Sequence, residues 1–376
     1  MRVALDVSAV PVRVAGAGRY VVELARRLPR RDVATTLVSR RDDVARWREL
    51  APNAATVHGL VPRGRVARLA YEAWVLGATR TARDVDVWHS PHYTMPHRGA
   101  SPTVVTVHDL TFFTNPEWHE RAKVAFFRRA IDYSVRHARV VVCVSEFTAR
   151  VLREVVSVEV PVVVAPLGVD LERYCVDGDR ALDEVALTPY RLSRDVPVVL
   201  FVGTAEPRKG LDVLLNAFEA LARDDADVEL WLVGQSGWGL GALEEQLGRH
   251  PYAPRIRRLG FVDDDALPAL YRRASVVAYP SRGEGFGLPV LEAMACGAVV
   301  VTSRATVMAD VAGGEANLVT AGDELELAAA LARALALDDR ERRERAARAR
   351  ERAELFTWDA CVERHLDAYR RAIGGH

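Results

Sequence analysis

The sequence predicts an α/β protein made of two doubly wound, Rossmann-like parallel-sheet domains in series. Three observations predict it. Short Val/Ile-rich runs alternate with longer helical patterns along most of the chain. Those runs are nearly continuous in apolar residues, as strands covered on both faces require, and do not alternate apolar with polar. The pattern also breaks and restarts once, across an irregular polar stretch. A length of 376 residues fits two or three domains of roughly 150 residues each.

Taken in order, "VALDV" reads as the first strand and "AGRYVVELARRL" as the helix after it, followed by strands at "TTLVS", "VDVWHS", "TVVTVHD" and "RVVVCVS". The break falls between 164–170 and 196–203. The second half then runs through "VPVVLFVGT", "VELWLVG", "RIRRLGF", "SVVAYPS" and "GAVVVTS", separated by the helical "GLDVLLNAFEALAR", "DDALPALYRRA" and "LPVLEAMACG". The tail reads as two helices. Residues 324–356 carry alternating charge and predict one solvated surface helix. Trp358, Val362, His365, Leu366 and Tyr369 recur near helical spacing and predict a packed face. The expected domains are 1–170 and 196–355, with a linker at 171–195 and a helix at 356–376 returning to the first domain.

Bulk properties exclude several classes. The net charge is zero, so nothing global points to nucleic acid. Cys143, Cys175, Cys296 and Cys361 are scattered, without zinc spacing, and read as reduced thiols. No apolar run reaches the roughly 18 residues of a membrane span. Met1 leads straight into a strand-like run, which predicts no signal peptide and a cytoplasmic protein. Among 51 basic residues, Lys123 and Lys209 are the lysines, so a lysine stands out against an arginine habit.

The chemistry concentrates in "SVVAYPSRGEGFGLPVLEAMACG". Ser275 to Ser281 reads as a strand, Pro289 suits the first helical position, and Gly297 suits the stop. Glu284 then lies in the strand-to-helix loop and Glu292 one turn inside the helix. Gly283, Gly285 and Gly287 permit close backbone approach, and the helix's free N–H groups form an anion site. Carboxylates beside an anion site make sense if they hold hydroxyls, so a sugar-bearing diphosphate with a ribose fits every part. In "FVGTAEPRKGLDVLLNAF", Arg208 and Lys209 fall at a strand's C-terminal end, where an ammonium serves phosphate as a point charge.

These segments resemble the retaining, GT-B-fold glycosyltransferases of family four, whose signature is Glu-x7-Glu. The resemblance implies two such domains facing across a cleft. It assigns the donor sugar to Glu284, the ribose hydroxyls to Glu292 and the diphosphate to Lys209, with donor contacts from the backbone of Gly285, Phe286, Gly287 and Leu288. Relatives often carry an arginine after the strand's glycine where this chain has Thr204; Arg208 is then the second cation. It places the nucleobase against Gly260, Phe261 and Val262, with Leu267 nearby. Asp263 to Asp265 read instead as a helix cap. "TVVTVHDLTFF" is similar to the family's acceptor-side strand, which implies that His108 contacts the donor sugar near the reacting bond. "CVSEFTARVLRE" and "APLGVD" match the family too, although Ser145 and Glu146 are explained as a helix cap and first-turn acid. Gly16 and Gly18 become a flexible loop over the donor phosphates.

The implied activity is transfer of a hexose or deoxyhexose, mannose favoured, from a GDP-, UDP- or dTDP-sugar to a glycan, lipid-linked or small-molecule hydroxyl, with retention and without a metal or other cofactor. Catalysis would rest on His108, Glu284 and Lys209. Arginine mixed with aromatics in 61–93 and 121–139 also suits peripheral contact with an anionic membrane. Two other functions stay open: an NADP-dependent oxidoreductase using the Gly16 loop, and a non-catalytic nucleotide-sugar sensor. Asp84-x-Asp86 leads into a buried strand and His89-Ser-Pro-His92 has no third ligand in sequence, so neither predicts a metal.

Overall fold

The computed structural model describes all residues except 15, 100, 194, 225–226, 236, 238–240 and 375–376. The chain divides into two compact units, 1–168 with 358–376, and 169–357. The first holds a seven-stranded sheet: β1 (Arg2–Asp6), β2 (Ala34–Arg40), β3 (Thr56–Val61), β4 (Val87–Ser90), β5 (Thr103–Val107), β6 (Val140–Cys143) and β7 (Val162–Val164). Its order is β3-β2-β1-β4-β5-β6-β7, every pairing parallel. The second holds β8 (Val198–Val202), β9 (Glu229–Val233), β10 (Ile256–Gly260), β11 (Val276–Tyr279), β12 (Val300–Ser303) and β13 (Asn317–Val319), in the order β10-β9-β8-β11-β12-β13, again parallel.

Central strands are Val-rich because both faces are covered: β6 and β8 are buried at every position. Each fully buried Val or Leu contributes about 1.5–3 kcal/mol of transfer free energy. Connections that reverse direction across a sheet leave a gap above the strand ends at the reversal point, where ligands bind in such folds. That point lies between β1 and β4 in the first unit and between β8 and β11 in the second.

The structure departs from the sequence expectation in several places. Strands β3, β7 and β13 were not anticipated, because two are three-residue edge strands and the third carries His58 and Gly59 in its interior. Residues 324–356 form two helices, Glu324–Leu335 and Asp339–Glu354, where one was expected. Asp338 breaks them with a capping box: its carboxylate accepts from the Glu341 N–H, and Glu341 reaches back to the Asp338 N–H. The first of the pair is no bare surface helix; Leu327, Ala330, Leu331 and Ala334 are buried and it packs on helix Leu211–Asp224. Residues 171–195 contain helix Arg180–Leu187, which packs on helix Ala266–Arg273 and groups with the second unit.

The last helix, Trp358–Gly374, packs on β4 to β7 and on helix Ala17–Arg27. Its inner face is polar at two buried positions. His365 Nε2 lies 2.7 Å from the Tyr20 hydroxyl, and Tyr369 Oη lies 2.8 Å from His89 Nδ1. Burial lowers His365 to about 4 and pushes His89 well below its usual value, so both imidazoles are neutral and act as dry hydrogen-bonding links.

Gly210 turns the chain from β8's loop into helix Leu211–Asp224. It has φ of 70°, and a Cβ there would lie 2.3 Å from the Pro280 carbonyl oxygen. Gly210→Ala is expected to destabilise the second unit by about 1–3 kcal/mol, read as a lower urea midpoint. An unchanged midpoint would show that this turn relaxes freely.

Candidate functional site

In the second unit, two loops meet above the reversal point. β8 leads through Gly203, Thr204 and Ala205 into a single 3₁₀ turn, Pro207–Lys209. β11 leads through 280–287 into helix Leu288–Ala295, with Gly287 at φ of 94° before it and a proline in its first turn. Because β8 and β11 are neighbours, the loops bond directly: the Arg282 N–H donates to the Arg208 carbonyl at 2.7 Å.

The contact between them centres on Glu284. Its Oε1 accepts from Lys209 Nζ at 2.5 Å and from the Tyr279 hydroxyl at 3.0 Å, and Ser281 Oγ lies 3.0 Å away. Its Oε2 accepts from Arg208 Nη1 at 2.7 Å. Lys209 Nζ also donates to Tyr279 Oη at 2.7 Å, and Arg208 Nε to Glu206 at 2.8 Å. The Lys209 and Glu284 side chains are only 9% and 10% exposed. Burial alone would push Glu284 up, but the Arg208 guanidinium and Lys209 ammonium outweigh it and lower the carboxyl to about 2. Burial lowers Lys209, opposed by Glu284, and raises Glu206, opposed by Arg208. Two carboxylates thus face two cations in a dry pocket.

Glu292 lies on the following helix, half-buried, where the Tyr271 hydroxyl donates to its Oε2 at 3.1 Å. Leu288 and Phe286 are buried; the Phe286 ring packs edge-on against Phe356 at 5.8 Å. A Cβ on Gly287 would meet Met308 Cγ at 2.8 Å, so this glycine also serves packing. A cavity of about 290 Å³ opens at the ends of β8, β9 and β10, walled by Gly203, Gly234, Gln235 and Gly260 among others, but not by Phe261, Val262 or Leu267. Asp265 makes no side-chain cap bond to helix Ala266–Arg273; Asp264 and Asp265 pair with Arg173 at 3.5 and 3.2 Å, which corrects the expected cap.

The first unit carries the remaining predicted residues. His108 follows β5, 9% exposed, with Nε2 2.7 Å from the Pro91 carbonyl. A carbonyl only accepts, so Nε2 carries the proton and Nδ1 is the ring's acceptor. Burial lowers its pKa against the opposing pull of Pro91 and Asp109, so the ring is neutral. Gly16 precedes helix Ala17–Arg27 at φ of 49° in an exposed turn, whereas Gly18 is inside the helix and packs on Val10 and Val14. Ten residues separate the end of β1 from that helix, too many for the tight turn of a dinucleotide fingerprint. Ser145 does cap its helix, accepting from the Thr148 N–H at 3.0 Å. Asp86 pairs with Arg2 at 2.9 Å.

Sequence reasoning missed Tyr279, Ser281, Tyr271 and Glu206. The available signal was a polar tip on a buried run: Tyr279 and Ser281 end a strand that reads as pure core. Among the described residues no metal-ligating group of three gathers around Glu284; the one that does gather lies in the first unit.

Two family models match, one described as Glycosyltransferase Family 4 over residues 14–173, the other as Glycosyl transferases group 1 over 196–337. O-antigen chain mannosyltransferase B of Escherichia coli is 29% identical, covering 98% of this chain and 100% of that protein. A D-inositol 3-phosphate glycosyltransferase of Salinispora tropica is 34% identical over 96% of this chain and 82% of its own. Among solved structures, sucrose-phosphate synthase from Thermosynechococcus elongatus superimposes with a TM-score of 0.80 at 23% identity, covering 100% of both chains. Anabaena HepE in complex with UDP-glucose gives 0.77 at 20% identity, covering 98% of each. Both likenesses bear on the fold.

The depressed Glu284 pKa sets a pH dependence. A carboxyl at about 2 in the fold against 4.5 ordinarily stabilises above pH 4.5 and loses that stabilisation as pH falls toward 2. The wild-type urea midpoint should exceed that of Glu284→Gln by a steady margin above pH 4.5 and converge on it below. A margin that persists down to pH 2 would contradict the charge pairing.

Proposed function

The chain belongs to the group 1 glycosyltransferases of family 4, and from that premise we propose that it moves a hexose or deoxyhexose, mannose foremost, from a nucleoside diphosphate to an acceptor hydroxyl with retention at the anomeric carbon. The observation that carries the proposal is the seating of Glu284 between Arg208 and Lys209, beside the start of the helix that bears Glu292.

In this scheme a diphosphate, richer in charge than one carboxylate, draws Lys209 and Arg208 toward itself. Glu284 lone pairs are thereby released to sugar hydroxyls, so phosphate and sugar recognition are coupled through shared cations. The Leu288 N–H, at the start of helix Leu288–Ala295, adds to the phosphate side. With these charges in place, the leaving group needs no divalent ion. Glu292 takes the ribose hydroxyls. The base would rest near Gly260, Phe261, Val262 and Leu267; of these, Gly260 walls the cavity at the strand ends. Gly16 keeps its proposed place over the phosphates, and Gly18 supports it from inside the helix.

His108 enters as a neutral ring whose Nδ1 accepts a sugar hydroxyl, rather than as a cation. The bond from the anomeric carbon to the phosphate oxygen breaks, the bond to the acceptor oxygen forms on the same face, and the acceptor proton passes to the departing phosphate. The similarity to a mannosyltransferase along the whole chain supports mannose. Val66 and Trp74, 81% and 62% exposed on helix Arg65–Trp74, support an acceptor presented at a lipid surface. Among the described residues no helix is long and apolar enough to cross a membrane.

A thermal-shift screen of GDP-, UDP- and dTDP-sugars is expected to give its largest rise with a GDP-hexose. Donor at a hundred times Kd adds about 2.7 kcal/mol, or several degrees. No rise with any nucleotide sugar would refute donor binding. A rise without release of nucleoside diphosphate on adding acceptor glycans would leave a sensor. Glu292→Ala should weaken the best donor by about 1–3 kcal/mol in calorimetry; wild-type affinity would remove its ribose role.

A further inference from the structure

The reversal point of the first sheet carries a second cluster of charges. Asp6 is the last residue of β1, His92 lies two residues beyond β4, and Glu72 is on helix Arg65–Trp74. One ligand atom from each lies within 4.8 Å of the other two. Asp6 is 0% and Glu72 1% exposed.

The two carboxylates are already oriented by outer partners. Asp6 Oδ1 accepts from the Ser8 N–H at 2.9 Å. Glu72 accepts from Thr94 Oγ1 at 2.5 Å and from Arg68 at 3.1 Å. Two groups are left over: Asp6 Oδ2 and His92 Nε2 are buried and have no hydrogen-bonding partner among the described residues. An unpaired buried carboxylate oxygen is costly, and His92 Nε2 beside it makes no hydrogen bond to it. Arg68 pairs with Glu72 at 3.1 Å; with both carboxylates ionised, one negative charge is left for a further cation.

We propose that Asp6, Glu72 and His92 bind one divalent transition-metal ion, such as Mn²⁺ or Zn²⁺, at the β1–β4 reversal point. Two carboxylates and one imidazole are a mixed oxygen–nitrogen set suited to these ions. Three ligand atoms each about 2.1 Å from one ion lie at most about 3.6 Å apart, so closing the group from separations within 4.8 Å requires movements of up to about 0.7 Å per ligand. The ion supplies the missing positive charge, takes Asp6 Oδ2 and His92 Nε2, and ties β1, the β4 loop and helix Arg65–Trp74 together. Thr94, Arg68 and the Ser8 N–H then serve as its outer partners. The site lies in a different unit from Glu284, and none of its three ligands has a part in the proposed transferase chemistry.

The test uses the full, tag-free chain, stripped with chelator and without nucleotide. After incubation with Mn²⁺ or Zn²⁺ and desalting, elemental analysis should find about one ion per chain, and the melting temperature should rise by several degrees. Co²⁺ should give visible d–d bands of a protein-bound ion. Asp6→Asn and His92→Gln should each weaken binding at least about tenfold and abolish the thermal rise. Should Asp6→Asn fail to fold, His92→Gln and the wild-type Co²⁺ spectrum still decide. Metal lost on desalting with only the aqueous Co²⁺ spectrum, or the same thermal rise in His92→Gln, would overturn the site and leave a proton on Glu72 as the charge balance.

Discussion

The ionised carboxylate of Glu284, held out of water, is the constraint around which the second unit is arranged. An unpaired carboxylate in such a place costs several kcal/mol, so the fold must bring cations to it. It does so from one turn: Arg208 and Lys209 are consecutive, placed by β8 and released into the next helix by the positive φ of Gly210. Tyr279 and Ser281, at the end of the neighbouring strand, complete the carboxylate's shell. Position, charge and backbone geometry are therefore mutually dependent.

A saturated carboxylate is not idle. Each of its donors is also a group that phosphate or hydroxyl would choose, and the proposed donor role draws on that. Glu206 holds Arg208 from its other side and prevents it from turning wholly toward Glu284. The two cations and two carboxylates of this network balance in formal charge.

The first unit meets the same problem in the opposite sense. At its reversal point two buried carboxylates face one guanidinium, and two polar atoms are left unsatisfied. Beside the last helix its buried polar groups are paired: His89, Thr106, Tyr20, His365 and Tyr369 form a hydrogen-bonded chain between the sheet and that helix. A satisfied network of that kind locks a helix in place, whereas an unsatisfied one asks for a ligand.

The sequence by itself determined the two parallel sheets, the strand-to-helix loop bearing Glu284, and the notice drawn by Lys209. These follow from local signals: Val-rich runs covered on both faces, glycine and proline at fixed positions, and a lysine against an arginine background. It did not determine the short edge strands, which have too few residues for a period, nor the break at Asp338, hidden within one charged run. Only the tertiary structure decided that Glu284 takes both cations, that His108 is buried with its Nε2 on the Pro91 carbonyl, and that Asp6, Glu72 and His92 converge. Those contacts join residues tens of positions apart, and the physical reason is that a parallel sheet brings strand ends together in spatial order, not in chain order.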